Sequence, residues 1–590
     1  MHGAINWRTS IFMIHHQGDP YLSSPMASRK NRSLVLRLIV TAIGSFLFVG
    51  PCGASGGRRG RWRLLMNNTG VVPMHMALTH LNTVVMFDQT GFGPSSYRLR
   101  KRLRGKKRCK ATGADLTDTS CYAHSIEYDV SSNRIRALRL DTDPWCSSGS
   151  FLSNGTLLQT GGYRKGSRGI RYFKPCNSDW CDWRQSKRSL SVQRWYSSSQ
   201  LLPEEGNRVI LVGGRRAFSY EFVPKHSSTD RSHDLPFLHR THNRDNDENN
   251  LYPFLHLSSD GNLFIFANRD SILFNYRRNR VVKTFPRIPG RGSRNYPSSG
   301  SSVILPLEHG NGFQKVEVML CGGSAPGAYE AAGQGKFLKG LQTCGRMVIT
   351  GNRHRWKMEK MPKPRLMHDM VILPTGQILI VNGARRGAAG WNRATGPSLR
   401  PYLYDPTKES GTRFSIMRST KVARMYHSSA ILLPNGRVLV GGSNPNKVYT
   451  LANVTYPTEL RLQEFIPHYM DRQYHNLRPQ NLSVQYNSSS DSGVGYGGEF
   501  TVRFRLGRRW QSKAVEFTAY APPFTTHSVA MNQRMLWLHG ASMVREQGGW
   551  VRATVEAPPS PEVAPPGYYM LTVVNGGIPS FSHWVRFINA

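Results

Sequence analysis

The sequence predicts an all-β protein, a seven-bladed kelch-type β-propeller followed by a β-sandwich. Three observations predict it. Gly and Pro are plentiful, 56 and 35 among 590 residues, and the apolar runs are short; that composition favours many strands and turns over long helices. A two-strand pattern recurs at kelch-like spacing along the first three-quarters of the chain. After residue 456 the pattern stops and apolar–polar alternation between turn signals replaces it. The length alone exceeds one ordinary core.

Residues 1–54 come first. "SLVLRLIVTAIGSFLFVGPCGA" follows the basic "ASRKNR" and closes on small residues at Ala54, the layout of a secretory signal. Its uninterrupted apolar part is short for a bilayer span, with a signal anchor as the alternative. The stretch before Met26 is an odd prefix, and Met26 reads as the true start. The expected location is extracellular, in the cell wall or apoplast. Sequons at Asn67, Asn154, Asn453, Asn481 and Asn487 agree with a secreted glycoprotein.

The formal net charge is +42, which predicts attraction to polyanions. Outside the cell an acidic cell-wall polysaccharide is a more natural partner than nucleic acid. The densest basic run, "YRLRKRLRGKKRCK" (97–110), reads by default as a solvated loop. No dimer-forming element is legible, so a monomer without a stable membrane span is expected.

The repeat occupies residues 55–455. Its copies are "VPMHMALTHLNTVVMFDQT", "PWCSSGSFLSNGTLLQTGG", "RWYSSSQLLPEEGNRVILVGG", "LYPFLHLSSDGNLFIFANRD", "NYPSSGSSVILPLEHGNGFQKVEVMLCGG", "RLMHDMVILPTGQILIVNGA" and "RMYHSSAILLPNGRVLVGGS". Each is a polar or aromatic head, a strand, a turn with Gly and an apolar second strand. Segments such as "SIEYDVSSNRIRALRL" and "SILFNYRRNRVVKTF" leave room for two outer strands, making four per unit, as in a propeller blade. The polar insert 224–250 reads as a surface loop. Residues 476–590 alternate as sandwich strands do.

Eight cysteines are present, with Cys52 in the signal. Short separations favour Cys109–Cys121, Cys176–Cys181 and Cys321–Cys344 among the pairings that six cysteines permit. Cys146 is left over, either an inert buried thiol or a thiol with a chemical role.

Blade heads converge, so distant residues can meet. Three heads carry unusual groups: Cys146, Tyr196, and the adjacent Tyr426 and His427. "FTTHSVAMN" adds His527 from the C-terminal region. Two imidazoles and two phenols make an N2O2 set, which suits Cu(II). Successive strand residues point to opposite faces. If Tyr426 and His427 both reach one metal, they must lie in the bend before the strand "SSAILL". No strand–GxGxxG–helix context for a nicotinamide or flavin accompanies "GGSAPG" or "GARRGAAG".

The wording of "WCSSGSFLSNGTLLQTGG", "RWYSSS", "ENNLYPFLHLSSDGNLFIFAN", "RMYHSSAILLPNGRVLVGGSNP" and "APPGYYMLTVVNGGIPSFS" resembles the copper-radical oxidases, the family of galactose oxidase and glyoxal oxidase, in its plant glyoxal-oxidase-like branch. The resemblance runs from about residue 62 to 590. It implies a propeller plus an immunoglobulin-like domain, and a thioether joining Cys146 to the Tyr196 ring as a radical cofactor. It also implies a copper site of Tyr196, Tyr426, His427 and His527, with Tyr426 axial. The implied activity is H2O2-producing oxidation of simple aldehydes to acids. Oxidation of primary alcohols is the alternative, and a non-catalytic kelch-type binding module is the more distant one. His368, Arg385 and Arg386 are expected to favour acidic or polar substrates if they reach the mouth of the site.

Overall fold

The computed structural model describes residues 59–589 apart from 100–101, 104–105, 108–120, 179, 228, 244–247, 487–492 and 508–513. The signal 1–54, Cys109, Asn487 and half of the basic run 97–110 lie outside the described residues. Among these residues the chain is nearly all strand and turn. Its two α-helices, Pro236–Thr241 and Ala328–Gly333, are each six residues long, and no helix is long and apolar enough to cross a membrane.

Each repeat copy folds as an antiparallel sheet. The first strands, in chain order, are His75–Leu78, Ser148–Phe151, Ser198–Leu201, Phe254–Leu257, Ser301–Ile304, Asp369–Ile372 and Ser428–Leu432. Each pairs with the second strand of its own copy, as Ser428–Leu432 does with Val438–Gly442. Two further strands complete each sheet. The first two strands are buried on both faces, so they read as continuous apolar or small-residue runs rather than as alternation. Outer strands such as Arg280–Thr284 are mostly exposed.

First strands of successive sheets lie side by side, and Ser428–Leu432 returns to lie against His75–Leu78. Between His75–Leu78 and Ser148–Phe151 the neighbour is a visitor from the C-terminal region, Phe524–Thr526. It pairs antiparallel with His75–Leu78 and leads through a turn into Val529–Met531. Gly149 admits it, since a Cβ there would meet the Phe524 ring at 2.3 Å.

The last sheet extends past the expected boundary at 455. Leu462–Ile466, buried throughout, is its third strand, and the N-terminal strand Arg61–Met66 forms its edge. The sheet is thus shared by both ends of this part of the chain. The insert 224–250 is also more than a loop. His233–Asp234 pairs with Ser219–Val223, and the following helix buries Phe237 and Leu238. Pro236 starts that helix with its φ pre-set, and the two apolar side chains anchor it.

Four buried arginines hold the heads. Arg194, Arg294, Arg365 and Arg424 stand two residues before Tyr196, Tyr296, Met367 and Tyr426. Each donates to a carbonyl where the second strand of its own sheet ends: Gly213 (2.7 Å), Gly322 (2.6 Å), Asn382 (2.9 Å) and Gly442 (2.8 Å). The rigid guanidinium fork ties the start of the first strand to the end of the second.

Residues beyond 476 form two sheets. One comprises Gln480–Tyr486, Glu499–Arg505, Trp550–Glu556 and Gly540–Arg545. The other is built around Val515–Ala521, Gly567–Asn575 and His583–Ile588, and it accepts Leu307–Glu308 from the first region as a parallel edge. Cys176–Cys181 and Cys321–Cys344 are disulfides, as the spacing suggests. Cys121 is also disulfide-bonded, and Cys146 is free and buried.

Candidate metal centre

The heads share an unusual backbone. Cys146, Tyr196, Tyr252 and His427 have φ of 54°, 67°, 49° and 65°, the left-handed region that bulky residues rarely enter. Such strain costs on the order of 1–3 kcal/mol per residue and gathers at functional sites. It lets the Tyr196 N–H donate to the Cys146 carbonyl and the Tyr252 N–H to the Tyr196 carbonyl, both at 2.9 Å. The heads are therefore bonded from sheet to sheet. Tyr426 and His427 occupy the turn before Ser428–Leu432, the bend expected for two adjacent ligands. His527, with φ of 46°, sits at the turn of the visiting hairpin.

The structure brings the five singled-out residues together. Cys146 Sγ lies 3.2 Å from His527 Nε2, and one ligand atom each from Cys146, His427 and His527 falls within a 4.8 Å group. Tyr196 is close enough to act on the Cys146 thiol, opposing the larger effect of burial. The Tyr426 ring stacks on His427 at 3.7 Å between centroids, and His527 stands 4.9 Å from His427 and 5.6 Å from Tyr426. Tyr196 is 6.1 Å from His527, ring to ring.

Sequence reasoning missed three neighbours. The Tyr296 hydroxyl bridges the other two phenols, 3.2 Å from Tyr196 and 2.8 Å from Tyr426. Tyr252 lies 5.3 Å from His527 and donates to the Ser147 carbonyl. His75 is 6.1 Å from His527, stacked on Phe87. Tyr296 carried a signal: Arg-x-Tyr ahead of a Ser pair recurs in "RWYSSS", "RNYPSS" and "RMYHSS". Of the other expectations, His368 is fully buried rather than at an open mouth, and the Arg365 and Arg294 charges act on it there. Arg385 and Arg386 are exposed on the hairpin that Ala384–Gly387 opens.

Burial dominates the electrostatics. It lowers the pKa of His427 and His527 well below the ordinary range and takes His75 to about 3. It raises Tyr196, Tyr426 and the Cys146 thiol well above theirs. The imidazoles are thus neutral. Nδ1 of His427 is 3.1 Å from the Asn444 carbonyl, to which it can only donate, and Nε2 is buried without a partner. Nδ1 of His527 is 2.6 Å from Thr526 Oγ1. An imidazole fixed through one nitrogen with a buried, orphaned lone pair on the other is the arrangement of a metal ligand. Together with the two phenols, this donor set fits copper. Trp195 packs 4.6 Å from Tyr196, and Phe92 5.8 Å from His427, walling the group with apolar surface.

Comparison with known families agrees with the geometry. Residues 74–469 match the family model described as glyoxal oxidase N-terminus. The chain belongs to the glyoxal oxidase family. Residues 478–587 match the galactose oxidase-like early set domain, so His527 reaches the other site residues from the second of the two matched parts. Among relatives of this glyoxal oxidase family member, the aldehyde oxidase GLOX1 of Arabidopsis thaliana is 42% identical, covering 90% of this chain and 85% of that protein. The aldehyde oxidase GLOX of Vitis pseudoreticulata is 40% identical, covering 90% and 97%. A fungal alcohol oxidase solved in complex with copper has the same overall fold, with a TM-score of 0.67 over 90% of this chain and 99% of that one, at 18% identity.

Proposed function

We propose that this protein is a secreted copper-radical oxidase that converts aldehydes to carboxylic acids and reduces O2 to H2O2. The observation that carries the reading is the convergence of Cys146, Tyr196, Tyr426, His427 and His527 in one buried group. The names of the relatives at about 40% identity agree with it. The sheets that follow one another up to Ile466 are read as the blades of a seven-bladed propeller, with the heads facing its axis. The sequon residues Asn67, Asn154, Asn453 and Asn481 are all exposed, in keeping with a glycosylated secreted chain.

Tyr196, Tyr426, His427 and His527 would hold the metal, and copper bound there would supply a one-electron couple and a place for the substrate oxygen. Cys146 Sγ joins a ring carbon of Tyr196 with loss of two hydrogens, which O2 takes up as H2O2, and the sulfur substituent makes that ring easier to oxidise. Tyr426, whose phenol ionises only when a nearby cation offsets its burial, accepts the hydroxyl proton of the hydrated aldehyde as general base. The oxidised Tyr196–Cys146 ring takes the hydrogen atom from carbon. Over the cycle the hydrate loses two electrons and two protons, which O2 takes up as H2O2. Tyr252, Trp195 and Phe92 exclude water from the reacting group.

The test is a substrate panel with copper-loaded protein, reading peroxide. Glyoxal and methylglyoxal are expected to be turned over faster than primary alcohols, and Cys146→Ala to lower turnover by orders of magnitude. Peptide mass analysis of the copper-treated protein is expected to show the residue-146 and residue-196 peptides joined with loss of two hydrogens. Near-normal peroxide production by Cys146→Ala would overturn the reading, and a preference for primary alcohols would move it to an alcohol oxidase.

A further inference from the structure

The first and second strands of each sheet are antiparallel, so the heads and the second-strand exits lie on one end of every sheet. That end is basic. Within five residues of a second-strand exit stand Arg164, Arg215, Arg269, Arg385 and Lys447, in five separate sheets; all but the half-buried Arg269 are exposed. Exposed cations thus stand on this end of four of the sheets.

One part of this end is concave. A cavity of about 440 Å³ opens among Arg240, Arg269, Arg287 and Arg291, with Asn249 and Asn268 in its wall, a volume within the usual range for small-molecule sites of roughly 300–1,000 Å³. Two carboxylates line it. Asp270 is held by Arg287 through two hydrogen bonds of 2.7 and 2.9 Å and also offsets part of the Arg269 charge; Glu330 is the second carboxylate of the wall. The Arg269 Nε is buried without a partner, and its charge is disfavoured first by burial and then by Arg287 and Arg291, with Asp270 opposing them. Ser298, also in the wall, donates to Asn249 at 2.8 Å. The wall has no aromatic ring, so it offers a nucleic acid base no stacking platform. Guanidinium groups match carboxylates, and amides and hydroxyls match sugar hydroxyls.

We propose that this cavity binds a uronic acid unit of an acidic oligosaccharide, its carboxylate on Arg269 and Arg291 and its hydroxyls on Asn249 Nδ2 and Asn268 Oδ1, the amide atoms left free by the Ser298, Thr241 and Asn243 contacts. Ser298 lies two residues after Tyr296, and Asn249 three before Tyr252. The bound sugar therefore sits on the chain segments that carry the tyrosines of the metal centre. This site stands on charge and cavity shape, independently of the oxidase chemistry.

The test is calorimetric titration of the full chain with a trimer of galacturonic acid, with a neutral galactose trimer and tripolyphosphate as comparisons. The uronate is expected to bind, the neutral sugar not. R269Q/R291Q is expected to weaken uronate binding at least tenfold, whereas R385Q/R386Q, on the same end but outside the cavity, changes it less than twofold. Thermal unfolding monitors folding, and R240Q/R291Q, at two exposed positions, replaces the first pair if that pair fails to fold. Absence of uronate binding overturns the proposal. So does an equal loss in R385Q/R386Q, which would mean diffuse attraction to a basic face. Tripolyphosphate binding tighter than uronate, and lost in the cavity variants, would replace a sugar site by a phosphate site.

Discussion

The Tyr296 hydroxyl has one proton and stands between two phenols. It can donate to Tyr196 or to Tyr426, and accept from the other. If Tyr426 works as a phenolate base, the shorter 2.8 Å contact is the one into which Tyr296 donates, stabilising the charge before a substrate arrives. Tyr296→Phe keeps the ring stacked 4.4 Å from Tyr196 and removes the hydroxyl with both of its contacts, the one to Tyr426 and the longer one to Tyr196. A hydrogen bond to a charged group contributes about 1.5–3 kcal/mol, so kcat is expected to fall roughly ten- to a hundredfold, with bound copper unchanged by metal analysis. An unaltered kcat would reduce Tyr296 to packing. Sequence reading separates these residues unevenly. Cys146 stood out by cysteine count, and Tyr426–His427 by adjacency. His75, a lone histidine inside the buried strand His75–Leu78, has no local mark, because what places it near His527 is a hairpin arriving from more than four hundred residues away.

At the scale of the sheet, the paired strands and their turns were legible because burial on both faces leaves short apolar runs closed by glycine. The buried arginines were not, since an arginine in a sequence normally reads as surface. Their contribution can be measured. Arg424 donates to Gly442 and Arg461 carbonyls, both at 2.8 Å. Arg424→Met fills similar volume but leaves those carbonyls short of donors, at about 1–3 kcal/mol for each group left unsatisfied. The urea midpoint is expected to fall with the m-value unchanged. Gly322→Ala attacks the same device from the other strand. Its φ is +67°, and a Cβ would stand 2.1 Å from the Arg365 carbonyl, so this variant is expected to be destabilised at least as much. A loss below about 0.5 kcal/mol, the level of an ordinary surface change, would show that the arginines are dispensable. The helix Pro236–Thr241 was hidden for a different reason: two buried apolar residues in a polar insert are too few to make a period.

Across the whole molecule two sheets take strands from distant parts of the chain: Arg61–Met66 edges the last sheet, and the hairpin of Phe524–Thr526 and Val529–Met531 extends the first. Such pairing depends on contacts between residues hundreds of positions apart, which no local pattern announces. It also seals acids in places where they cannot ionise cheaply. Asp369, at the start of its strand and bonded to the Asn382 amide at 2.7 Å, is pushed by burial from 3.8 up to about 8. In the unfolded chain it loses its proton near 3.8, in the folded one near 8. Between those values the folded state holds one more proton, so rising pH favours unfolding by about 1.4 kcal/mol per pH unit from this group alone. That cost is absent below the unfolded pKa and constant above the folded one. Asp369→Asn keeps the polar contact and cannot titrate. Every other ionisable group, including the large basic excess, is common to both proteins and cancels in the difference. Urea unfolding at about pH 5, 6 and 7 is therefore expected to show wild type losing about 1.4 kcal/mol more per pH unit than the variant. Parallel stability curves would mean that Asp369 is already ionised in the folded molecule, and that a cation or water reaches it through the sheets.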